Sequence, residues 1–537
     1  MSIILRDRFF FLIVFTAMFS QIPDILQVKF LGSFMQEKLS IYPVVLAFGY
    51  YCWKYKEGGI NFSLTEIDKR FLIYITVYLL VTLISFFHGM FIYPYYDAIL
   101  AGPANQIEKF PTVYQFLIQA GIPISEITLF KIWMIARPIK NVILECFWFF
   151  SIPLLIYLWF KKDIFSGINI LKKAAVVSIL CISLYGILDI FYLNGSFTAQ
   201  VVLAQINPII HTIKVDGSGW PPLLWNDQLR SLFAEPSFFG MYAAFATPWL
   251  WYAVSEQDIS FKKRIALSFL LFLFTYELFL ARARTATSLF VGEIVLLLLI
   301  ALWQYEKRFF RNTMKLLLIS LFAFCLATFS ISYMPGSPEH NGLDTMGYNK
   351  NGLQNVAVYL EDNIGSLASS NQRKQSNLSR YSILKASVAI GEDYPILGVG
   401  RYLRDAYIPD YLPPEAFEGE EIQSWLHAQK EKGILKSGFP PLGEYCTRFA
   451  ETGTLGLLVY LLPSAYLLIQ LLRRISSAAC RREEKEKSIF LFLSMMGVMA
   501  SGLSNSFSVN CCYWILIGIG YAFIMPEQQS KPYLVKR

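Results

Sequence analysis

Five arginines stand in short polar stretches that border long apolar runs. Arg230 lies in LRSLFAEPSFFG, Arg282 and Arg284 in LARARTATS, Arg380 in NLSRYSILKASVAIGEDYPILGVG and Arg448 in CTRFAETGTLG. A guanidinium keeps its charge, and its planar fork gives two parallel hydrogen bonds to an oxyanion, bonds that strengthen where water is scarce. Several arginines converging on one place would therefore hold a diphosphate. Taken singly, each has a plainer role, reaching to a lipid headgroup or pairing with a nearby acid. Glu235 precedes Pro236, and proline suits the first turn of a helix, so Glu235 stands at a helix entrance, placed to take a proton from a bound hydroxyl. A carboxylate there also simply favours the helix dipole. Asp393, in GEDYPILGVG, is the second candidate base. The acidic run PPEAFEGEEIQ reads most simply as a solvated loop, with sugar-hydroxyl binding alongside Tyr407, Tyr411 and Trp425 as the alternative.

The polar segments contain no DxD pair or HExxH, and the eight cysteines sit mostly in apolar runs without metal-ligand spacing. Neither a metal, a cofactor nor a disulfide framework is expected. The chemistry must come from arginines and carboxylates.

Hydrophobic residues make up 55% of the 537, charged residues 16%, the balance of a membrane protein. A spanning helix needs about 20 mostly apolar residues. Twelve segments qualify, near 8–24, 39–54, 70–90, 139–160, 171–192, 237–254, 262–281, 285–304, 314–334, 453–473, 488–505 and 508–526. The N-terminus resembles a signal peptide, yet no small-x-small cleavage site follows, so it reads as a retained first helix. The expected fold is an all-α polytopic membrane protein of about 12 transmembrane helices: spans one to nine in residues 1–334, a large extracytoplasmic loop with amphipathic helices over 335–452, and spans ten to twelve with a tail in 453–537.

With a cytoplasmic N-terminus, the basic residues of the alternate connections all fall on one side: Arg6 and Arg8, the pairs at 54–56, 69–70, 161–162 and 172–173, Lys262 to Arg264, Lys307 to Lys315, the clusters at 473–487, and Lys531, Lys536 and Arg537. The positive-inside rule makes that side cytoplasmic, with both termini there. The other side then carries the long segments 91–138, 193–236 and 335–452, so function faces outward. The net charge of +8 is accounted for by membrane lipids of the cytoplasmic leaflet, and no nucleic-acid signature accompanies it. Glu145, Asp189, Glu277 and Glu293 fall in the outer halves of their helices, where intramembrane acids line cavities or pair with cations. Glu277 stands about a turn and a half from Arg282 on what reads as one continuous helix, and ion pairing with the arginines is the expected role of Glu277 and Glu293. In the largest loop, Ile383, Leu384 and Ala386 mark one face of an amphipathic helix, with Gly391 as its C-terminal stop.

With these residues in view, LRSLFAEPSFFG, LARARTATSLFVGEIVLLLL, SRYSILKASVAIGEDYPILGVG and FAETGTLGLLVYLL together resemble the family of bacterial O-antigen polymerases and ligases, the Wzy-type and WaaL-like membrane glycosyltransferases. The likeness covers about 225–475 in the family's order. It implies that Arg230 and Arg380 handle the diphosphate of a polyprenyl-diphosphate-linked oligosaccharide, with Arg282 or Arg284 as a third contact. Glu235 stands beside them as the first candidate base from its own position, and Arg448, Asp393 and Tyr381 are read as further substrate contacts. It further implies a bacterial inner-membrane location, and a chain-length regulator protein as a further candidate partner. Ligases of this family carry a histidine shortly before the ETG-like segment, but here that stretch reads GFPPLGEYCTRFAETG, and His427 lies some twenty residues upstream. The implied reaction is thus polymerisation of lipid-linked repeat units for a surface polysaccharide. A lipid-linked oligosaccharide flippase would show internal repeats and mid-membrane sites, which the chain lacks. An acyltransferase would need a catalytic histidine, and neither His88, His211 nor His340 has that setting.

Overall fold

The computed structural model describes residues 3–20, 22–28, 38–57, 66–211, 223, 228–333 and 373–525. His340, Lys531, Lys536 and Arg537 lie outside them. The described residues are helical with no strand. In chain order the helices are α1 (Ile3–Thr16), α2 (Ile41–Lys56), α3 (Glu66–Ile92), α4 (Tyr96–Leu100), α5 (Phe110–Gln119), α6 (Glu126–Cys146), α7 (Ile152–Phe160), α8 (Ile164–Leu193), α9 (Phe197–Ile210), α10 (Pro236–Ser255), α11 (Phe261–Leu280), α12 (Arg284–Gln304) and α13 (Lys307–Tyr333). They continue with α14 (Arg373–Asp393), α15 (Arg404–Tyr411), α16 (Glu420–Lys432), α17 (Glu444–Ser476), α18 (Arg482–Ser501) and α19 (Cys512–Ile524). Six helical segments among the described residues are long and apolar enough to cross a membrane: 69–92, 126–160, 164–193, 284–304, 307–331 and 444–476. The protein is a multi-pass membrane protein by that measure.

Two of these differ most from the apolar windows. The segment read as 139–160 starts at Glu126, where the Ser125 side chain accepts the Thr128 N–H at 3.2 Å, and continues through a π turn at 147–151 into α7. Thirty-five residues reach about 50 Å against a hydrocarbon core of about 30 Å, so the helical segment is longer than one crossing needs. Likewise α17 begins at Glu444 rather than 453. In both, the added turns carry charged residues that a hydropathy window excludes.

Two apolar cores result. The larger joins α1, α2, α7, α8, α10 to α13 and α17 to α19, around α10, whose residues from Phe239 to Val254 are buried on every face among α8, α11, α12 and α18. A helix apolar all round belongs in such a position. The smaller core is a cap over one end, built from Phe86, Tyr93, Phe110, Phe130, Ile383, Ile390, Tyr407, Ile422 and their neighbours. Tyr407 is 2% exposed there, ringed by Tyr93, Tyr95 and Tyr394, so it is cap core rather than a sugar-binding surface. The basic connections gather at the opposite end, where Arg6 pairs with Asp163 at 3.0 Å, Lys172 with Glu256 at 2.6 Å and Arg482 with Glu306 at 2.5 Å.

Cap and bundle are joined where α17 breaks. Gly453 has φ 63 and ψ −170, a conformation essentially restricted to glycine. The segment 394–400 threads through the break: the N–H groups of Val399 and Gly400 donate to the carbonyls of Ala450 and Glu451 at 2.9 and 3.0 Å, and those of Thr454 and Leu455 donate to Pro395 and Ile396 at 2.8 and 3.3 Å. On the α3 side the Ser85 hydroxyl lies 2.6 Å from the Leu397 carbonyl and 2.9 Å from that of Glu451. The backbone groups freed by the break are thus satisfied by the inserted loop, as an apolar setting requires. Gly391 is not the stop of α14, which runs on to Asp393. It lets α14 approach α17, since a Cβ there would lie 2.3 Å from the Phe449 ring.

A methyl group on Gly453 would lie 2.3 Å from the Ile396 carbonyl carbon and oxygen. Gly453→Ala should cost about 3 kcal/mol through strain and clash and lower the thermal midpoint in detergent. Gly292→Ala, inside α12 with open space around its Cβ, should be neutral or stabilising by up to about 1 kcal/mol.

Candidate functional site

Beneath the threaded loop lies a buried charge cluster. Glu444, Arg448 and Glu451 fall on one face of the first turns of α17, at the spacing that aligns side chains along a helix. Glu145 is the last residue but one of α6, just before the π turn, Tyr78 comes from α3, and Arg401 and Tyr402 follow directly on the loop. Arg401 donates from Nε to Glu145 Oε2 at 2.8 Å and pairs with Glu451. Arg448 donates from Nε to Glu444 Oε1 at 2.7 Å and also pairs with Glu145. The Tyr78 hydroxyl donates to Glu145 Oε1 at 2.9 Å while accepting from Arg448 at 3.0 Å, and Tyr402 donates to Glu145 Oε2 at 2.9 Å. Glu444 Oε2 accepts the Ser506 hydroxyl at 2.7 Å and the Phe507 N–H at 3.0 Å. The Arg448 guanidinium lies 4.1 Å from the Tyr460 ring centroid, a favourable cation–π distance. Burial and the neighbouring Arg448 work against the charge on Arg401, but Glu145 more than offsets them and holds its pKa above the ordinary arginine value.

A cavity of about 650 Å³ opens on this cluster between cap and bundle. Its wall includes Lys140, Arg401, Arg404, Thr447, Glu451 and Ser506. Arg404 is fixed by Thr447 Oγ1 and the Phe439 carbonyl, both at 2.8 Å, and by Asp405 at 2.7 Å. Guanidinium, ammonium, hydroxyl and carboxylate groups on one half-polar cavity can bind a hydroxylated, anionic ligand. Among the described residues no group of three or more His, Cys, Asp or Glu side chains has the geometry of a metal site.

A second polar centre lies where α8, α10 and α11 meet the cap end. Asp189 Oδ2 accepts the main-chain N–H groups of Ser231 at 2.7 Å and Arg230 at 3.3 Å, and the Leu229 N–H donates to the Leu280 carbonyl at 3.2 Å. The loop carrying Arg230 is thereby held against the turn carrying Arg282 and Arg284. Arg230 is fully buried. His211, past the end of α9, packs on Tyr185, and burial, then the Arg230 charge, drives its pKa down to about 3, so the imidazole is neutral. Glu235 is the N-cap residue of α10, half-buried, with Pro236 at the first helical position as the sequence suggests, and its Oε2 accepts the Ser237 hydroxyl at 3.2 Å.

The structure brings the sequence-selected residues together in three groups, not one. Arg230, Arg282 and Arg284 share the second centre. Arg448 belongs to the buried cluster, tied to Glu145 and Glu444. Arg380 and Tyr381 ride on α14, half-buried and exposed respectively, and α14 packs against α15, α16 and α17. Asp393, at the end of that helix, accepts the Tyr411 hydroxyl at 2.7 Å. Glu277 and Arg282 do not share a continuous helix: α11 ends at Leu280, and Arg282 adopts a left-handed φ of 49. Nor do Glu277 and Glu293 ion-pair with the arginines among the described residues. Their carboxyls face Gly186 and Gly497, whose missing side chains leave the room. His427 is exposed and pairs with Glu431 at 3.2 Å. Arg401, Arg404, Glu444 and Glu451 escaped the sequence reading because Arg401 stands in a turn and Arg404 at the start of the short α15, neither bordering an apolar run of membrane length. Glu444 and Glu451 carried the available signal, being spaced four and three residues from Arg448.

Residues 269–429 match the protein family described as O-Antigen ligase. The match is consistent with a member of the O-antigen polymerase and ligase family, and points to a glycan-processing membrane enzyme. It takes in Arg282, Arg284, Arg380, Arg401 and Arg404 and leaves Arg230, Glu235 and Arg448 outside. No curated protein matches the chain.

Glu145 is the hinge of the buried cluster, because both guanidinium groups converge on it. Glu145→Gln should destabilise the protein by about 3–5 kcal/mol, the cost of stranding buried charge. The check is detergent-solubilised thermal unfolding against Lys385→Ala, which breaks an exposed pair and should leave the midpoint unchanged.

Proposed function

We propose that the protein polymerises polyprenyl-diphosphate-linked oligosaccharide repeat units into a bacterial surface polysaccharide, by glycosyl transfer on the outer face of the cytoplasmic membrane. What carries this reading is the cavity of about 650 Å³ between cap and bundle, walled by guanidinium groups and a carboxylate and flanked by the segment that matches the glycan-processing family. In this reading the capped end faces outward and the basic end is cytoplasmic, in keeping with the positive-inside rule. The twelve apolar segments are twelve spans, and both termini are cytoplasmic.

The transfer forms one bond and breaks one. A hydroxyl of the incoming lipid-linked unit attacks the anomeric carbon of the growing glycan, and the carbon–oxygen bond to the diphosphate breaks with its electron pair leaving on the diphosphate. Arg230, with Arg282 and Arg284 of the second centre, stabilises the charge that develops there, which is where preorganised donors contribute most, and Arg380 contacts the lipid-linked unit separately from α14. Glu235 takes the hydroxyl proton, with Asp393 as the alternative base. Arg401, Arg404 and Glu451 line the space for acceptor sugars, and Arg448 acts on them through Glu145 and Glu444. A chain-length regulator would act on this cycle from outside the bundle.

A ligase, which passes finished glycan to an acceptor lipid, is the second reading, favoured by the description of the matching family. Deleting the gene and resolving surface glycan on a gel separates the two: single repeat units on the surface mark a lost polymerase, polymer retained on its lipid carrier a lost ligase, and neither outside a lost flippase. In a complemented strain, Arg380→Ala and Arg230→Ala should leave the protein inserted while long-chain glycan disappears. Because Arg230 is buried, Arg230→Lys, which keeps the charge but loses the fork, should show the same loss. Normal chain lengths in these strains would refute the arginine roles, and undiminished turnover by Glu235→Gln would remove that base.

A further inference from the structure

At the basic end of the bundle, away from the cap, a cavity of about 480 Å³ lies between the end of α10 and the facing surfaces of α11 and α13. Arg264, Arg308, Arg311 and Lys315 all line it, together with Ser268 and Asn312, and no carboxylate among the described residues does. Residues 308, 311 and 315 follow one another on one face of α13, at helical spacings of three and four. Four cations sharing one concave space repel one another unless an anion joins them. The acids of the adjoining turns do not fill that role: Glu256 is engaged by Lys172 at 2.6 Å, Glu306 by Arg482 at 2.5 Å, and Asp258 is exposed and outside the cavity wall. Among the described residues Arg264 is steadied by the carbonyls of Glu256 and Gln257, at 3.2 and 3.3 Å, which position its guanidinium without neutralising it.

The other wall of the cavity is apolar. Leu316, Leu318 and Ile319 carry it toward the outer surface of α13, where Leu318 is 61% and Phe322 64% exposed, beside Ile265 at 53% and Phe269 at 62% on α11. Phosphate-binding groups thus run without interruption into a strip of apolar side chains along the bilayer-facing groove between two helices. A soluble anion would use the first feature and leave the second unexplained, whereas a lipid uses both. We propose that this cavity is a specific site for an anionic glycerophospholipid, its phosphates held by Arg264, Arg308, Arg311 and Lys315 and its acyl chains lying along Leu318, Phe322 and Phe269.

The test is native mass spectrometry of the intact protein in detergent, titrated with phosphatidylglycerol or phosphatidylcholine. The wild type should retain phosphatidylglycerol at least about tenfold more tightly than phosphatidylcholine. The quadruple variant R264Q/R308Q/R311Q/K315Q should lose most of that preference. A second variant, K161Q/K162Q/K262Q/K263Q, removes the same number of charges from the same end but none from the cavity, and should keep it. Equal losses in the two variants, equal retention of both lipids by the wild type, or displacement of the lipid by millimolar inorganic pyrophosphate would each overturn the proposal. The wild-type comparison stands even if the first variant does not fold.

Discussion

The architecture depends on the unwound turn at Gly453. A helix inside an apolar bundle can be interrupted only if something else bonds the backbone groups it releases, and here the loop 394–400 does so on both sides of the break. That constraint explains why two glycine-containing stretches far apart in the chain belong together. The loop must reach into α17, so it needs Gly398, at φ 67, where a Cβ would collide with the backbone of Glu451, and α17 must open, so it needs Gly453. Everything after the loop follows from the insertion, because Arg401 and Tyr402 emerge from it directly onto the carboxylates of α6 and α17.

The charges under the loop illustrate how a polar centre is held in a low-dielectric setting. Three carboxylates and two guanidinium groups are nearly excluded from solvent, and their remaining hydrogen-bonding capacity is met by Tyr78, Tyr402, Ser506 and the Phe507 N–H. Such a network adds little net stability compared with apolar packing but is costly to leave incomplete. It therefore specifies where α3, α6, α17 and the loop meet, and so the shape of the cavity above them. Arg448, which by its position beside an apolar run invites a substrate role, is enclosed in this network, whereas Arg401 and Arg404 reach the cavity wall.

The two ends of the bundle handle positive charge differently. At the capped end arginines are countered by buried carboxylates or by main-chain geometry, as with the Arg230 loop on Asp189. At the other end several basic residues pair with acids across connections, and four converge on a cavity without any acid in its wall. Burial strengthens the first kind of interaction. At the second, partial exposure leaves the cations available to anions from outside the protein.

The sequence alone determined the helical class, the positions of the apolar segments, the gathering of basic residues at one end, the entry of α10 at Glu235–Pro236 and the amphipathic character of α14, because each rests on local spacing and composition. It also marked the stretches around Arg282, Arg284 and Arg380 through their resemblance to glycan-processing proteins. It did not reveal that α6 and α17 extend beyond their apolar windows, since charged turns lower hydropathy even when tertiary contacts bury them. Nor did it separate Arg448 from Arg230 and Arg380, or expose Arg401, Arg404 and Glu451, because those partnerships join residues 50 and 256 positions apart through a loop threaded into a broken helix. Which charges meet across such a distance depends on how the chain closes on itself, and only the tertiary structure decides that.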